Sequence, residues 1–329
     1  MERTVLVTGG SGFLGAHVVD RLLAAGHRVR TLQRSETQAL APGVDARMGS
    51  VLESADVADA VAGCDAVFHL AGWVSRDPKD APAMDALHVD GTRIVIDAAA
   101  DAGVARIIYA STSGSIACSR NSRRVATELN PFPEEVVRKW PYYVSKIAAE
   151  KVAFERAAAR QVELVSVHPS LLLGPGDARI SSTEDIVRVM RRQVPALPSG
   201  GMNFVDVRDA AAATVAALEK GSPGERYLLG AVNWTVREFL IRTAAAADVS
   251  ISRLPAPDML TWLGAWMSEP LFRLFGATAP LDVISVEMSQ VFWYFDNSKA
   301  RSDLGFSPRD PDETLQDTVR DLRSRGVAP

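Results

Sequence analysis

The segment VLVTGGSGFLG (5–15) constrains this chain more than any other, because it sets three glycines between two differently patterned apolar runs. Thr4–Thr8 reads as a strand, and Phe13–Ala25 reads as a helix. Gly9 would permit the tight turn, Gly12 the close approach of a pyrophosphate, and Gly15 the close packing of helix on sheet. A helix that opens there turns free N–H groups and the positive end of its dipole toward an anion. The expectation is a strand–turn–helix cradle for a dinucleotide, with Phe13 and Leu14 in its lining. A glycine-rich turn without a ligand is the plainer alternative, and the place of this one at the head of a βα series weighs against it.

That series continues. Arg28–Gln33, Ala66–Leu70, Arg106–Ala110 and Glu163–His168 read as strands, with Val44–Met48 as a weaker candidate. Ala83–Ala102 and Pro141–Arg160 read as helices between them. Alternation of this kind implies an α/β fold, a doubly wound parallel sheet of Rossmann type with helices on both faces. After Leu173 the pattern changes: GPGD (174–177), Pro195, Pro198, Gly200 and Gly201 mark loops. Phe204–Val207 and Arg226–Leu229 are further strands flanking a helix at Arg208–Glu219, and helices dominate from Asn233. The expected division is a nucleotide-binding domain at 1–173 and 204–232 and a smaller, mainly helical substrate-binding lobe at 174–203 and 233–329.

Composition excludes several classes. A chain of 329 residues buries a sizeable core without metal or disulfide staples. The balance of 40 acidic against 36 basic residues argues against a nucleic-acid binder. Cys64 and Cys118 form no CxxC pair and are expected as buried free thiols in a reducing, cytoplasmic setting. No run reaches the roughly 18 apolar residues of a membrane span, and a strand beginning at Thr4 leaves no signal peptide to expect. The histidines at 17, 27, 69, 88 and 168 show no metal-ligand spacing, so no metal site is expected. There is no GxSxG elbow to suggest a serine hydrolase.

The end of the second strand decides which dinucleotide fits. An acidic residue there would accept the ribose hydroxyls of NAD(H), but the chain reads RVRTLQRSE (28–36) and offers Arg34. A guanidinium pairs with a 2′-phosphate, so NADP(H) is expected over NAD(H), which stays open. An ordinary surface arginine is the plainer reading of the same residue.

The chemistry is expected at YYVSK (142–146), where Pro141 suits the first turn of a helix. Tyr142 and Lys146 are four apart and share a face, whereas Tyr143 faces Ile147 and gains no cation. A phenol is a poor base at neutral pH, and a neighbouring ammonium favours its ionised form. The strand RIIYASTSG (106–114) ends in Ser111, Thr112 and Ser113, at the carboxyl edge where doubly wound sheets bind ligands. An amphipathic helix with a solvated lysine would show the same Tyr–Lys spacing.

With these residues together, the chain resembles an extended short-chain dehydrogenase/reductase of the NAD-dependent epimerase/dehydratase superfamily, nearest its dihydroflavonol-reductase-like, 3β-hydroxysteroid-dehydrogenase-like and hopanoid-associated groups. The matching segments are TGGSGFLG (8–15), DAVFHLAG (65–72), HVDGT (88–92), YASTS (109–113), Tyr142 with Lys146, HPSLLLGPGD (168–177), FVDVRDAA (204–211) and DLGFSPR (303–309). The resemblance implies that Thr112 polarises a substrate oxygen, Tyr142 exchanges its proton, and Lys146 holds the nicotinamide ribose. It places Leu70, Ala71 and Gly72 beside the cofactor and Pro169 and Ser170 beside the nicotinamide. It also implies a homodimer through the helices at 83–102 and 141–160. Two departures stand out: His88 occupies a common asparagine position, and Ser50 a common aspartate position near the adenine.

The stretch 259–276 concentrates Trp262, Trp266, Phe272 and Phe275 and reads as packing or a lid in the substrate lobe, or as a helix resting on a membrane surface. Trp73 and Ser113 are further candidates for the substrate wall. The expectation is an NADPH-dependent reductase for the carbonyl of a hydrophobic or aromatic small molecule. A sugar epimerase or dehydratase is the runner-up, and a nucleotide-sensing regulator on the same fold the third reading.

Overall fold

The computed structural model describes residues 2–34, 41–255, 257–259, 261–264, 266–267 and 283–329. Short β-branched runs form the centre of the molecule. β1 (Thr4–Thr8), β2 (Arg28–Gln33), β3 (Asp45–Met48), β4 (Ala66–His69), β5 (Arg106–Ala110), β6 (Glu163–Pro169) and β9 (Arg226–Leu229) make a seven-stranded sheet in the order β3-β2-β1-β4-β5-β6-β9. Every pairing in it is parallel. The order reverses between β1 and β4, which opens a crevice at their carboxyl ends. All four residues of β4 are buried, as expected of a strand covered on both faces.

One face of the sheet packs against α1 (Phe13–Ala24) and α8 (Val207–Lys220), with Val18, Leu22, Ala210 and Ala217 joining Val5, Val7 and Phe68 in one core. The other face packs against α2 (Ser54–Val61), α4 (Gly91–Asp101) and α6 (Pro141–Arg160), the last preceded by the short α5 (Glu134–Val137), through Val57, Val95, Ile96 and Ala153. The helix expected at 83–102 is interrupted. It runs as α3 (Ala81–Asp85), a wider π-turn at Ala86–Asp90, and then α4. Such a turn inserts one residue and re-aims what it carries, here His88.

A second, three-stranded sheet in the order β10-β8-β7 comprises β7 (Leu171–Leu173), β8 (Gly201–Asp206) and β10 (Val232–Thr235). Its core joins α7 (Glu184–Met190), α9 (Val236–Ala246) and the helix Pro311–Ser324 through Ile186, Phe239, Leu315 and Leu322. The short helix Ser298–Leu304 returns to the first core through Ala300 and Leu304. The two units are tied by ion pairs: Arg208 bridges Asp206 and Asp317, and Arg309 reaches Asp209 at 2.8 Å. Cys64 and Cys118 are buried free thiols. Among the described residues, no helix is long and apolar enough to cross a membrane. No cluster of metal-ligating side chains occurs among them either.

Candidate active site

The glycine turn folds as its residues demand. Gly9 has φ +73°, and a Cβ there would lie 2.7 Å from the backbone nitrogen of Ala71. A Cβ on Gly15 would lie 2.0 Å from the carbonyl oxygen of Gly9, so the first turn of α1 can approach β1 only without a side chain. α1 starts at Gly12 with no side-chain cap, which leaves its N-terminal N–H groups to a ligand. Among the buried side-chain oxygens without a partner are Ser170 Oγ, in the wall of the cavity described below, and Gln33 Oε1, at the end of β2. Buried polar atoms are rarely left unpaired, so both fit a polar ligand such as a dinucleotide. Arg34 follows Gln33, exposed, at the last described position before residue 41.

A cavity of about 500 Å³ runs from this turn into the second unit. Gly9, Gly12, Phe13, Leu14 and Gly15 are in its wall. Leu70, Ala71, Gly72, Pro169 and Ser170 are in the same wall, and so are Trp73, Thr112, Ser113, Tyr142 and Lys146. Arg34, Trp262 and Trp266 are not in its wall. The two indoles stack on each other, with centroids 6.3 Å apart and planes 11° from parallel, and stay partly exposed. Of the rest of that aromatic run, Phe272 and Phe275 lie outside the described residues.

Thr112 leaves β5 in an extended conformation and caps the turn Ser113–Ser115, its hydroxyl accepting from the Gly114 N–H at 3.4 Å. Tyr142 opens α6 behind Pro141. Burial pushes its phenol up to about 12, while the Thr112 hydroxyl, hydrogen-bonded to it, works the other way. Lys146, one turn along α6 from Tyr142, donates through Nζ to the carbonyl of Ala110 at 2.7 Å and to the Tyr109 hydroxyl at 3.3 Å; the help expected for the phenolate from this ammonium is expected with an oxidised nicotinamide close by. Tyr142 is therefore a neutral phenol across the physiological range, suited to giving a proton. Burial lowers Lys146 to about 8, and Glu150 opposes that shift.

His88 is a fully used strut. Its Nε2 accepts the Trp73 N–H at 3.0 Å, and its Nδ1 pairs with Ser145 Oγ at 2.8 Å. Ser145 Oγ lies 2.9 Å from the Tyr142 carbonyl and donates to it. Burial, with Lys146 adding to it, lowers His88 to about 3, so the ring is neutral at pH 7. Ser50, the other departure, accepts the Leu52 N–H on its hydroxyl at 3.2 Å, while its own N–H is held by Asp56 at 2.8 Å.

The aromatic wall was not legible in the sequence. Tyr143 stacks on Trp293 with centroids 5.0 Å apart, and Trp140 lies 5.7 Å from the same indole. Trp293 is delivered by long-range pairing: Phe292 exchanges backbone hydrogen bonds with Ser119, and the Trp293 N–H donates to Gly201 at 3.1 Å. Gly114 makes the room, since a Cβ on it would lie 2.2 Å from the Tyr143 ring.

Comparison with known proteins agrees with this arrangement. Residues 5–230 match the model of the NAD dependent epimerase/dehydratase family. The chain is 32% identical over 99% of its length to a putative dihydroflavonol 4-reductase of Synechocystis sp., covering 96% of that protein. It is 35% identical over 69% of its length to cinnamoyl-CoA reductase 1 of Oryza sativa subsp. japonica, covering 71% of it. Among solved structures, that of gox2253 superposes with a TM-score of 0.87 over 100% of both chains, at 28% identity. The chain belongs to the NAD dependent epimerase/dehydratase family and is an NAD(P)-dependent oxidoreductase of the extended short-chain dehydrogenase/reductase kind.

Proposed function

We propose that this enzyme is an NADPH-dependent reductase for the ketone of a hydrophobic or aromatic small molecule, reversibly oxidising the corresponding secondary alcohol. The observation that carries the reading is the meeting of the Thr112 hydroxyl and a neutral Tyr142 phenol on the wall of a cavity that Trp73, Tyr143, Trp293, Ile284 and Met288 also line. A flat apolar wall suits a ring better than it suits a sugar. The reductase names of the dihydroflavonol and cinnamoyl-CoA relatives support the same direction.

The bound dinucleotide supplies the hydride, and the chain supplies the rest. Gly9–Gly15 and the α1 N-terminus hold its diphosphate, Ser170 Oγ and Gln33 Oε1 offer it unpaired acceptors, and Arg34 pairs with a 2′-phosphate. Thr112 donates a hydrogen bond to the substrate carbonyl oxygen, which sharpens as that oxygen gains charge. Tyr142 gives its proton to the same oxygen as the carbonyl carbon is reduced. Lys146, anchored on Ala110, presents its charge to the ribose and to the phenolate left behind. His88 holds the Trp73 backbone and the start of α6 in register. In the same reading residues 1–173 and 204–232 carry the cofactor, the remainder shapes the substrate, and the helical segments at 83–102 and 141–160 form a dimer face in a cytoplasmic enzyme.

The test is NADPH consumption across aryl ketones, steroid ketones, β-keto esters and nucleotide sugars, with NADH as control. Turnover of apolar ketones with NADPH supports the reading. Conversion of a nucleotide sugar with no net change in the cofactor would replace it with an epimerase.

A further inference from the structure

Behind Thr112 lies a buried carboxylate that the mechanism above does not use. Glu150 sits on α6 one turn beyond Lys146, at 0% exposure, with Lys146 at 4%. An isolated carboxylate at that depth would be costly, and this one is satisfied on every side. Ser111 Oγ donates to its Oε2 at 2.6 Å, Ser115 Oγ lies 3.0 Å from the same oxygen, and Arg226 Nε donates to Oε1 at 2.7 Å.

These partners bracket the loop that carries Thr112. Ser111 and Ser115 flank it, and the Thr112 carbonyl itself is held by Ser115 Oγ at 2.8 Å and His168 Nδ1 at 3.2 Å. His168 Nε2 takes the Ser166 hydroxyl at 2.9 Å, so both ring nitrogens are occupied and burial keeps the imidazole below its usual range. Surroundings of the Lys146 ammonium contain little to offset its charge. Tyr109 approaches from β5, His69 from β4, His88 from the π-turn, His168 from β6 and Glu150 from α6, with Arg226 from β9 beyond Glu150, and Tyr142 stands one turn before Lys146 on α6. Among these, Glu150 alone is an acid. The two phenols are raised by burial and the histidines lowered, so all five stay neutral near pH 7.

We infer that Glu150 is a positioning residue of the reaction: its carboxylate clamps the 111–115 loop that presents Thr112 and supplies the buried negative charge that faces the Lys146 ammonium. The inference rests on the roles given to Thr112 and Lys146 in the proposed reaction. One carboxylate thereby couples the group that holds the substrate oxygen to the cation beside the proton donor. Its Arg226 partner, partly exposed, balances it from the solvent side.

The chain has six lysines, at 79, 139, 146, 151, 220 and 299, so Nζ resonances of the ¹⁵N-lysine-labelled, cofactor-free full chain are few enough to follow by NMR through a pH titration. Lys146→Arg identifies the resonance. In the unaltered protein the Lys146 midpoint is expected near 8. Glu150→Gln should lower it by about one unit, a ~10-fold change in the ionisation constant. Arg226→Gln, which leaves Glu150 in place and unbalanced, should move it upward and keeps the inference testable if Glu150→Gln does not fold. A Lys146 midpoint that stays put in either folded variant overturns the inference. The readout needs no turnover. A chain that shows the shifts but reduces no ketone fails the proposed function alone, and one that reduces ketones with an unmoved Lys146 fails this inference alone.

Discussion

Lys146 donates to the carbonyl oxygen of Ala110 across 2.7 Å, and this anchor fixes the ammonium at the end of β5, beside the loop that carries Thr112. Because burial lowers Lys146 to about 8, the charge is lost as pH rises through that value. The rate of ketone reduction is expected to be flat below pH 7 and to fall with a single ionisation near 8. Lys146→Met should remove that limb and lower kcat about 10²-fold or more, within the range of general acid–base contributions. A pH–rate profile of the two proteins checks this.

Replacing His88 by Leu leaves the Trp73 N–H without its acceptor and removes the ring N–H from Ser145 Oγ, whose hydroxyl still donates to the Tyr142 carbonyl. The expected cost is about 1–3 kcal/mol. His88→Asn, which keeps one donor and one acceptor, should recover part of it. Thermal unfolding of both variants measures the difference.

Acid should weaken the fold through the same residue. His88 and His69 are both lowered by burial from 6.5 to about 3, so between these values the unfolded chain binds more protons than the folded one. Stability is then complete above pH 6.5 and is lost as pH falls toward 3. At pH 5.5 each histidine should remove about 1 kcal/mol. Denaturant titrations at pH 7.5 and 5.5 test the sign, and His88→Asn should flatten the dependence.

The aromatic wall depends on a missing side chain. Gly114→Ala sets a methyl group where the Tyr143 ring now rests, which should displace Tyr143 from Trp293 at a cost of about 1–3 kcal/mol. KM for an aryl ketone should rise, while NADPH affinity is unchanged, because the side chains a Cβ on Gly114 would meet are Tyr143 and Trp293 and not the glycine turn at 9–15. Steady-state kinetics with fluorescence titration of NADPH separates the two effects.

Arg34 is placed for a 2′-phosphate only if its side chain turns to the end of β2, where Gln33 Oε1 waits unpaired. Arg34→Ala should weaken NADPH binding about 10-fold or more, given the strength of charge-assisted hydrogen bonds, and leave NADH binding unchanged. Equal losses for both cofactors would return Arg34 to the status of a surface cation.

Local pattern explains what was readable in the sequence. Alternating β-branched and helical runs marked β1, β2, β5 and α6 to the residue, because each is set by its own periodicity. Strand β7 and strand β10 were missed, since three or four residues among loops carry no period of their own. The cofactor cradle was legible because backbone geometry demands glycine there. Trp293 was not, because its place follows from the pairing of Phe292 with Ser119, far away in the chain. Trp262 and Trp266 drew attention by density alone, and they stack outside the cavity. The π-turn that re-aims His88 likewise has no signature in a stretch that otherwise reads as continuous helix.

The central claim is that the neutral Tyr142 phenol delivers the proton to a ketone oxygen held by Thr112. Its most direct measurement is single-turnover NADPH oxidation with an apolar ketone, in the unaltered enzyme and in Tyr142→Phe, with NADPH affinity measured alongside. The rate in Tyr142→Phe is expected to be lower by about 10²–10⁴-fold with NADPH binding intact. A variant that reduces the ketone at close to the original rate would contradict it.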